Sequence, residues 1–157
     1  MTREEKFMHE AIKLSLTGIN QNEGGPFGCI IVKGEEIVGR GNNKVTSAND
    51  PTAHAEIVAI RDACKNLNTF QLDGCEVYTS CEPCPMCLGA IYWARPRIIY
   101  FANSRQDASD IGFDDSMIYE EMNTSIEGRK IPIIKLGSED AKKVFVEWAL
   151  KVDKMKY

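Results

Sequence analysis

Two short stretches carry residue types that could do chemistry together. His54-Ala55-Glu56 sets an imidazole two residues from a carboxylate, and about thirty residues later Pro83-Cys84-Pro85-Met86-Cys87 offers a pair of thiols. Imidazole nitrogen and thiolate sulfur are the donors Zn²⁺ takes in tetrahedral sites. A structural site fills all four positions with protein ligands, whereas a catalytic one keeps the fourth for water. His54, Cys84 and Cys87 make three ligands. Glu56 lies near enough to reach a water at the fourth position without ligating the metal. Three ligands and a spare carboxylate describe a hydrolytic zinc site. The competing arrangement is a closed, non-catalytic site with Cys81 as fourth ligand, which would leave Glu56 without a purpose. Cys81-x-x-Cys84-x-x-Cys87 also has iron–sulfur spacing, but a fourth cysteine at matching distance is missing.

The surrounding elements must bring these stretches to one point. Pro51 and Thr52 end a polar loop without periodicity and open a helix from about Ala53 to Leu67, with Ile57, Val58, Ile60 and Ala63/Cys64 as its buried stripe. His54 and Glu56 then fall in the first turn, where backbone N–H groups are unpaired and the helix dipole is positive. Cys84 to Ala94 reads as a second helix, stopped by Arg95-Pro96. The i,i+3 spacing puts both thiols on one face. A helix N-terminus also favours the thiolate that a metal requires.

Around this centre the chain alternates. An amphipathic helix over residues 3 to about 19 carries Phe7, Met8, Ala11, Ile12, Leu14, Leu16 and Ile19, with Thr2 and Glu5 spaced as a capping box. After the breaker Asn20–Pro26, Phe27–Lys33 and Ile37–Gly41 form a hairpin. Leu72–Thr79 holds a turn and a strand, and Arg97–Ala102 is a further strand. A short helix from about Asp115 to Met122 follows, then a fifth strand over Ile131–Leu136 at a sheet edge because of Pro132. Ser138 caps a last helix striped by Val144, Phe145, Trp148, Ala149 and Val152. The order α-β-β-α-β-α-β-(α)-β-α predicts an α/β fold, a three-layer α/β/α sandwich around a five-stranded mixed sheet. No repeat or linker divides it, so residues 1–157 are expected to be one domain.

Two polar or aromatic features have both a bland and a functional reading. Phe27 follows Gly25-Pro26, either as strand-entry punctuation or as a wall for a flat ligand. Asn42 and Asn43 are ordinary turn residues, yet a carboxamide also offers donor and acceptor to the edge of a base.

Composition narrows the function class. Of 157 residues, 43% are hydrophobic and 27% charged, as in globular proteins with a sizeable core. Acidic residues outnumber Lys and Arg, 23 to 19, which argues against a phosphate-backbone partner. No apolar run is long enough for a bilayer, and Met1–Phe7 is charged and has no signal-peptide core. Six cysteines without such a signal read as reduced thiols in a cytoplasmic protein.

The chain resembles the cytidine/deoxycytidylate-type zinc deaminases and, from end to end, the small bacterial-type guanine deaminases. The resemblance rests on Gly24–Gly28, Gly41–Asn43, Asn49–Glu56, Tyr78–Pro96, Gly112–Ser116 and Tyr157. It implies a cytidine deaminase-like fold and hydrolysis of guanine to xanthine and ammonia by a zinc-activated hydroxide. His54, Cys84 and Cys87 would bind one Zn²⁺ and Glu56 would be the proton shuttle. Asn43 would contact the base edge, Phe27 would stack, Ala55 would give a backbone contact, and Asp115 would read guanine's N–H donors. Asp114 competes with Asp115 for that role, and Asp115 could instead cap the helix that follows. The resemblance further implies a homodimer that exchanges a lid of about residues 138–157, placing Tyr157 over the partner's site. No nucleic-acid or membrane partner is expected. Related zinc deaminases acting on tRNA adenosine or free cytosine are the nearest alternatives.

Overall fold

A computed structural model describes residues 1–157. The chain divides into two compact units, Met1–Asp115 and Ser116–Tyr157. The first unit is built on a mixed four-stranded sheet in the order β2-β1-β3-β4. Strand β1 (Gly28–Lys33) is antiparallel to both β2 (Glu36–Asn42) and β3 (Cys75–Cys81), and β4 (Ile98–Asn103) runs parallel to β3. A bulge interrupts the hairpin, since Ile31 pairs with Gly39 but Val32 with Ile37.

Alternation along the central strands makes two cores. Ile30 and Val32 of β1 and Tyr78 of β3 face α1 (Arg3–Asn20), where Ala11 is buried and Phe7, Met8 and Leu14 pack beside it. Cys29, Ile31 and Val77 point the other way, to α3 (Ala55–Leu67) and α4 (Pro85–Ala94). Three layers result, α1 on one face and α3 with α4 on the other. The capping box of Thr2 and Glu5 is formed at the start of α1. Ile12, Leu16 and Ile19 of its expected stripe remain exposed, because Ala11 already meets the sheet.

Helix α3 lies on the sheet chiefly through alanines. Of the expected stripe, Ala63 is buried and Ile60 and Cys64 pack half-buried against the core, whereas Ile57 and Val58 are only half-buried and lie outside it. Ala55, Ala59 and Ala63 are fully buried. The reason is the opposing strand: a Cβ at Gly41 would stand 2.2 Å from the Ala55 carbonyl oxygen, and one at Gly39 2.5 Å from that of Ala59. Glycine in the strand and alanine in the helix let two backbones approach, and larger residues are displaced to the flanks.

Two short helices appear where the sequence shows no helical period, α2 (Val45–Ala48) in the polar loop before Pro51 and α5 (Arg105–Asp110) after β4. In the second unit, α6 (Ser116–Met122), a single 3-10 turn (Ile126–Gly128) and α7 (Ser138–Leu150) follow in order. The expected fifth strand at Ile131–Leu136 is not there. The segment joins no sheet, Pro132 has no N–H to donate, and Ile131, Ile134 and Leu136 are 78%, 82% and 92% exposed. Gly137, with φ 69°, takes the N-cap position of α7, so Ser138 begins the helix instead of capping it. No residue between Ser116 and Tyr157 is buried. No helix of the chain is long and apolar enough to cross a membrane.

Candidate active site

The N-termini of α3 and α4 converge at the same place. His54 occupies the N-cap position of α3 and Cys84 that of α4, and neither side chain caps its own helix. Pro85 at the first position of α4 gives up no needed N–H and sets the helical φ. Cys87 is one turn further in and fully buried. The two N-cap side chains are thus released to face each other. His54 Nδ1 lies 3.5 Å from Cys84 Sγ and 3.5 Å from Cys87 Sγ.

Those distances test whether a metal fits. With zinc–sulfur bonds of about 2.3 Å and zinc–nitrogen bonds of about 2.05 Å at tetrahedral angles, adjacent nitrogen and sulfur ligands stand about 3.6 Å apart. The observed separations match, and the ligand atoms of His54, Cys84 and Cys87 form the cluster able to hold an ion. Cys81 is outside that cluster; its thiol is directed to the Ser104 carbonyl at 3.7 Å. The closed four-ligand arrangement therefore lacks its fourth member. Charge is arranged to match: a hydrogen bond from Cys87, aided by His54, pulls the Cys84 thiol down to about 4. The hydrogen bond to Cys84, together with burial, holds the remaining proton on Cys87, and a dication would displace it.

Glu56 sits in the first turn of α3 with 6% of its surface exposed. Burial pushes its carboxyl up from the ordinary value, opposed by a hydrogen bond that Thr79 Oγ1 donates to Oε1 at 3.0 Å. Thr79 is itself buried in β3. A buried carboxyl whose proton affinity is raised, with a hydrogen-bond donor fixing one oxygen, is suited to accept and return a proton. Thr79 escaped the sequence reading, where a threonine in an apolar run signals only a strand former.

The remaining residues singled out from sequence fall into two groups. Ala55 follows His54 directly, and backbone hydrogen bonds tie Asn43 to Phe27 and the residue after Asn43 to the one before His54. Asn43 donates its backbone N–H to the Phe27 carbonyl at 3.0 Å, and Lys44 next to it donates to the Ala53 carbonyl at 2.9 Å. Asn43 Oδ1 accepts from the Gly25 and Val45 N–H groups at 3.2 and 3.1 Å. Ala55 is fully buried. The Phe27 ring meets Phe113 edge-on, centroids 4.9 Å apart and planes at 88°, so Phe113 is a second aromatic that the sequence reading left without a role. Asp115 lies two residues beyond it, and its Oδ1 pairs with Arg105 Nε at 3.3 Å. Tyr157 ends the second unit, 69% exposed.

With this geometry in place, the chain can be classed. Residues 1–103 match the family of the cytidine and deoxycytidylate deaminase zinc-binding region, and the chain belongs to that family. It is therefore a zinc-dependent deaminase domain by membership. It is 50% identical over 153 residues to the guanine deaminase of Bacillus subtilis, covering 98% of both chains. The crystal structure of a Bacillus subtilis guanine deaminase superposes with a TM-score of 0.95, again at 50% identity and 98% coverage of each chain. Similarity to the tRNA-specific adenosine deaminase of Aquifex aeolicus is shorter, 42% identity over 98 residues, covering 62% of this chain and 64% of that protein.

Proposed function

We propose that the protein hydrolyses guanine to xanthine and ammonia. One observation carries this reading: likeness to a guanine deaminase runs over 98% of both chains, whereas likeness to a tRNA deaminase covers 62% of this one.

His54, Cys84 and Cys87 would hold the zinc, which when bound supplies a Lewis acid that brings water's ionisation to about pH 7. Glu56 takes the proton from the attacking water and hands it to a ring nitrogen of guanine. A C2–O bond forms, giving a tetrahedral carbon. Glu56 then takes the proton of the new C2–OH and delivers it to the 2-amino nitrogen; as the C2=O bond forms the C2–N bond breaks, and ammonia leaves with xanthine behind. The carboxyl raised by burial supports this double duty. Phe27 stacks on the purine, braced edge-on by Phe113. Asn43 addresses the base edge, Ala55 offers its backbone, and Asp115 accepts from guanine's N–H groups, as a site built to pair with polar groups must to reject analogues lacking them.

The protein is further proposed to work as a cytoplasmic homodimer that exchanges residues 138–157, with Tyr157 over the partner's site and 1–157 acting as one functional domain. What supports it is apolar surface left uncovered in the single chain. Phe145 and Val152 of the α7 stripe and its extension are 77% and 100% exposed, and α4, which bears no charged side chain, exposes Tyr92 and Trp93 at 73% and 63%.

The deciding experiment follows xanthine absorbance and ammonia release together, from zinc-loaded protein given guanine, with adenine, cytosine and a stem-loop RNA in parallel. Equal amounts of both products from guanine alone, absent in Glu56→Ala, are expected. Turnover of RNA adenosine or of cytosine in place of guanine would overturn the substrate assignment.

A further inference from the structure

Glu23 falls in the Asn20–Pro26 breaker, where the sequence suggests no chemistry, yet it is bonded to the residues on both sides of Asn43. Its Oε2 accepts from Asn42 Nδ2 at 2.5 Å, and its Oε1 pairs with Lys44 Nζ at 3.0 Å. Its carbonyl oxygen accepts from the Ser47 N–H and from Thr46 Oγ1, each at 3.2 Å. Its own N–H donates to the Gly18 carbonyl at 2.9 Å, tying the assembly to the end of α1. The hydrogen bonds from Asn42 and Lys44 hold the carboxyl below the ordinary carboxylate range, so it is an anion at neutral pH.

The loop beyond Glu23 then presses on Asn43 itself. A Cβ at Gly24 would stand 2.2 Å from Asn43 Oδ1, so the backbone passes directly over the carboxamide. Both recorded side-chain bonds of Asn43 use Oδ1 and come from backbone N–H donors. That settles which amide atom is oxygen. With Oδ1 held by the loop's N–H groups, the NH₂ group is the part of the carboxamide that can donate elsewhere.

We propose that Glu23 is a positioning residue that clamps Asn42 and Lys44 to the glycine loop and thereby holds the Asn43 carboxamide with Nδ2 presented to an acceptor on the purine edge. This rests on the reading of Asn43 as a substrate contact. Glu23 touches no substrate; it acts through Asn43. A free carboxamide can rotate and offer its oxygen where the ligand needs a hydrogen, whereas a clamped one has that choice removed before binding.

The test is a double-mutant cycle between Glu23→Ala and Asn43→Ala, read as steady-state kinetics on guanine with zinc content measured for each variant. Glu23→Ala should raise KM about tenfold, the size of one lost oriented hydrogen bond, with kcat within about twofold and zinc unchanged. In the Asn43→Ala background the same change should move KM less than about twofold, because the group being positioned is gone. Glu23→Gln keeps an acceptor for Asn42 and should recover part of the loss, and Lys44→Met should raise KM in the same direction by less. Both serve should Glu23→Ala fold poorly. An unchanged KM in the Glu23 and Lys44 variants while Asn43→Ala raises it would overturn the clamp alone. So would an effect of Glu23→Ala equally large in both backgrounds, which would mark a merely structural role. An Asn43→Ala variant with wild-type KM would overturn the substrate contact and the clamp together.

Discussion

Thr79 Oγ1 donates to Glu56 Oε1 at 3.0 Å, and both side chains are buried. The bond joins the centre of the sheet to the first turn of α3, and it favours the ionised carboxylate, the form able to accept a proton from water. Thr79→Val keeps volume and β-branching while deleting the donor. A hydrogen bond to a charged group contributes about 1.5–3 kcal/mol. The variant should therefore lose about ten- to a hundredfold in kcat, with zinc content preserved. Metal analysis beside steady-state kinetics checks this, and zinc loss in the variant would show that Thr79 serves the fold of the site rather than Glu56.

Chelation should separate metal from fold. The three ligands come from two helix N-termini, and without a dication Cys84 carries the negative charge while Cys87 keeps its proton. Removing zinc should abolish turnover and lower the melting temperature, since an ion bound only by the folded chain adds its binding free energy to stability. Zn²⁺ should restore both, and Cys87→Ser should weaken metal retention. A chelated protein with full activity would overturn the zinc assignment.

The metal triad was legible in the sequence because its chemistry is local: two thiols at i,i+3 and a histidine two residues from a carboxylate fix their own geometry at helix N-termini. The capping box of Thr2 and Glu5 was legible for the same reason. A like signal, Ser104 followed by Asp107, marks α5, but six residues give no hydrophobic period to notice. What escaped depends on distant partners. Ile131–Leu136 has strand-like residue types, yet a strand exists only by pairing, and Pro132 removes one donor from a segment that joins no sheet. Thr79 and Glu56 are 23 residues apart, and Glu23 and Lys44 are 21 apart, so neither pair has a sequence spacing that would announce it.

Acid should weaken the fold through Glu76. This carboxylate sits in β3 with 3% of its side chain exposed. Burial would push it up, but hydrogen bonds from Tyr78, Arg3 and Arg97 outweigh burial and hold it at about 2, against an ordinary 4.5. A depressed folded-state value means that the contribution is complete above about pH 4.5 and is lost as pH falls towards 2. The difference corresponds to about 3 kcal/mol. Urea midpoints of the wild type should decline through that window, and those of Glu76→Gln should start lower and decline less. Parallel declines would remove Glu76 as the cause.

Gly41→Ala should disturb metal binding without touching a ligand. The added Cβ would meet the Ala55 carbonyl oxygen at 2.2 Å and the Ala59 nitrogen at 2.6 Å, both backbone atoms of α3. Backbone cannot rotate aside, so the helix N-terminus must move off β2, and His54 and Glu56 move with it. Overpacking of this kind costs about 1–3 kcal/mol. The variant should unfold at lower denaturant and release zinc faster to a chelator, whereas Gly89→Ala, in a helix position with open space around it, should do neither. A Gly41→Ala variant with the wild-type urea midpoint and wild-type zinc release would mean that α3 is not held against β2 by this close approach.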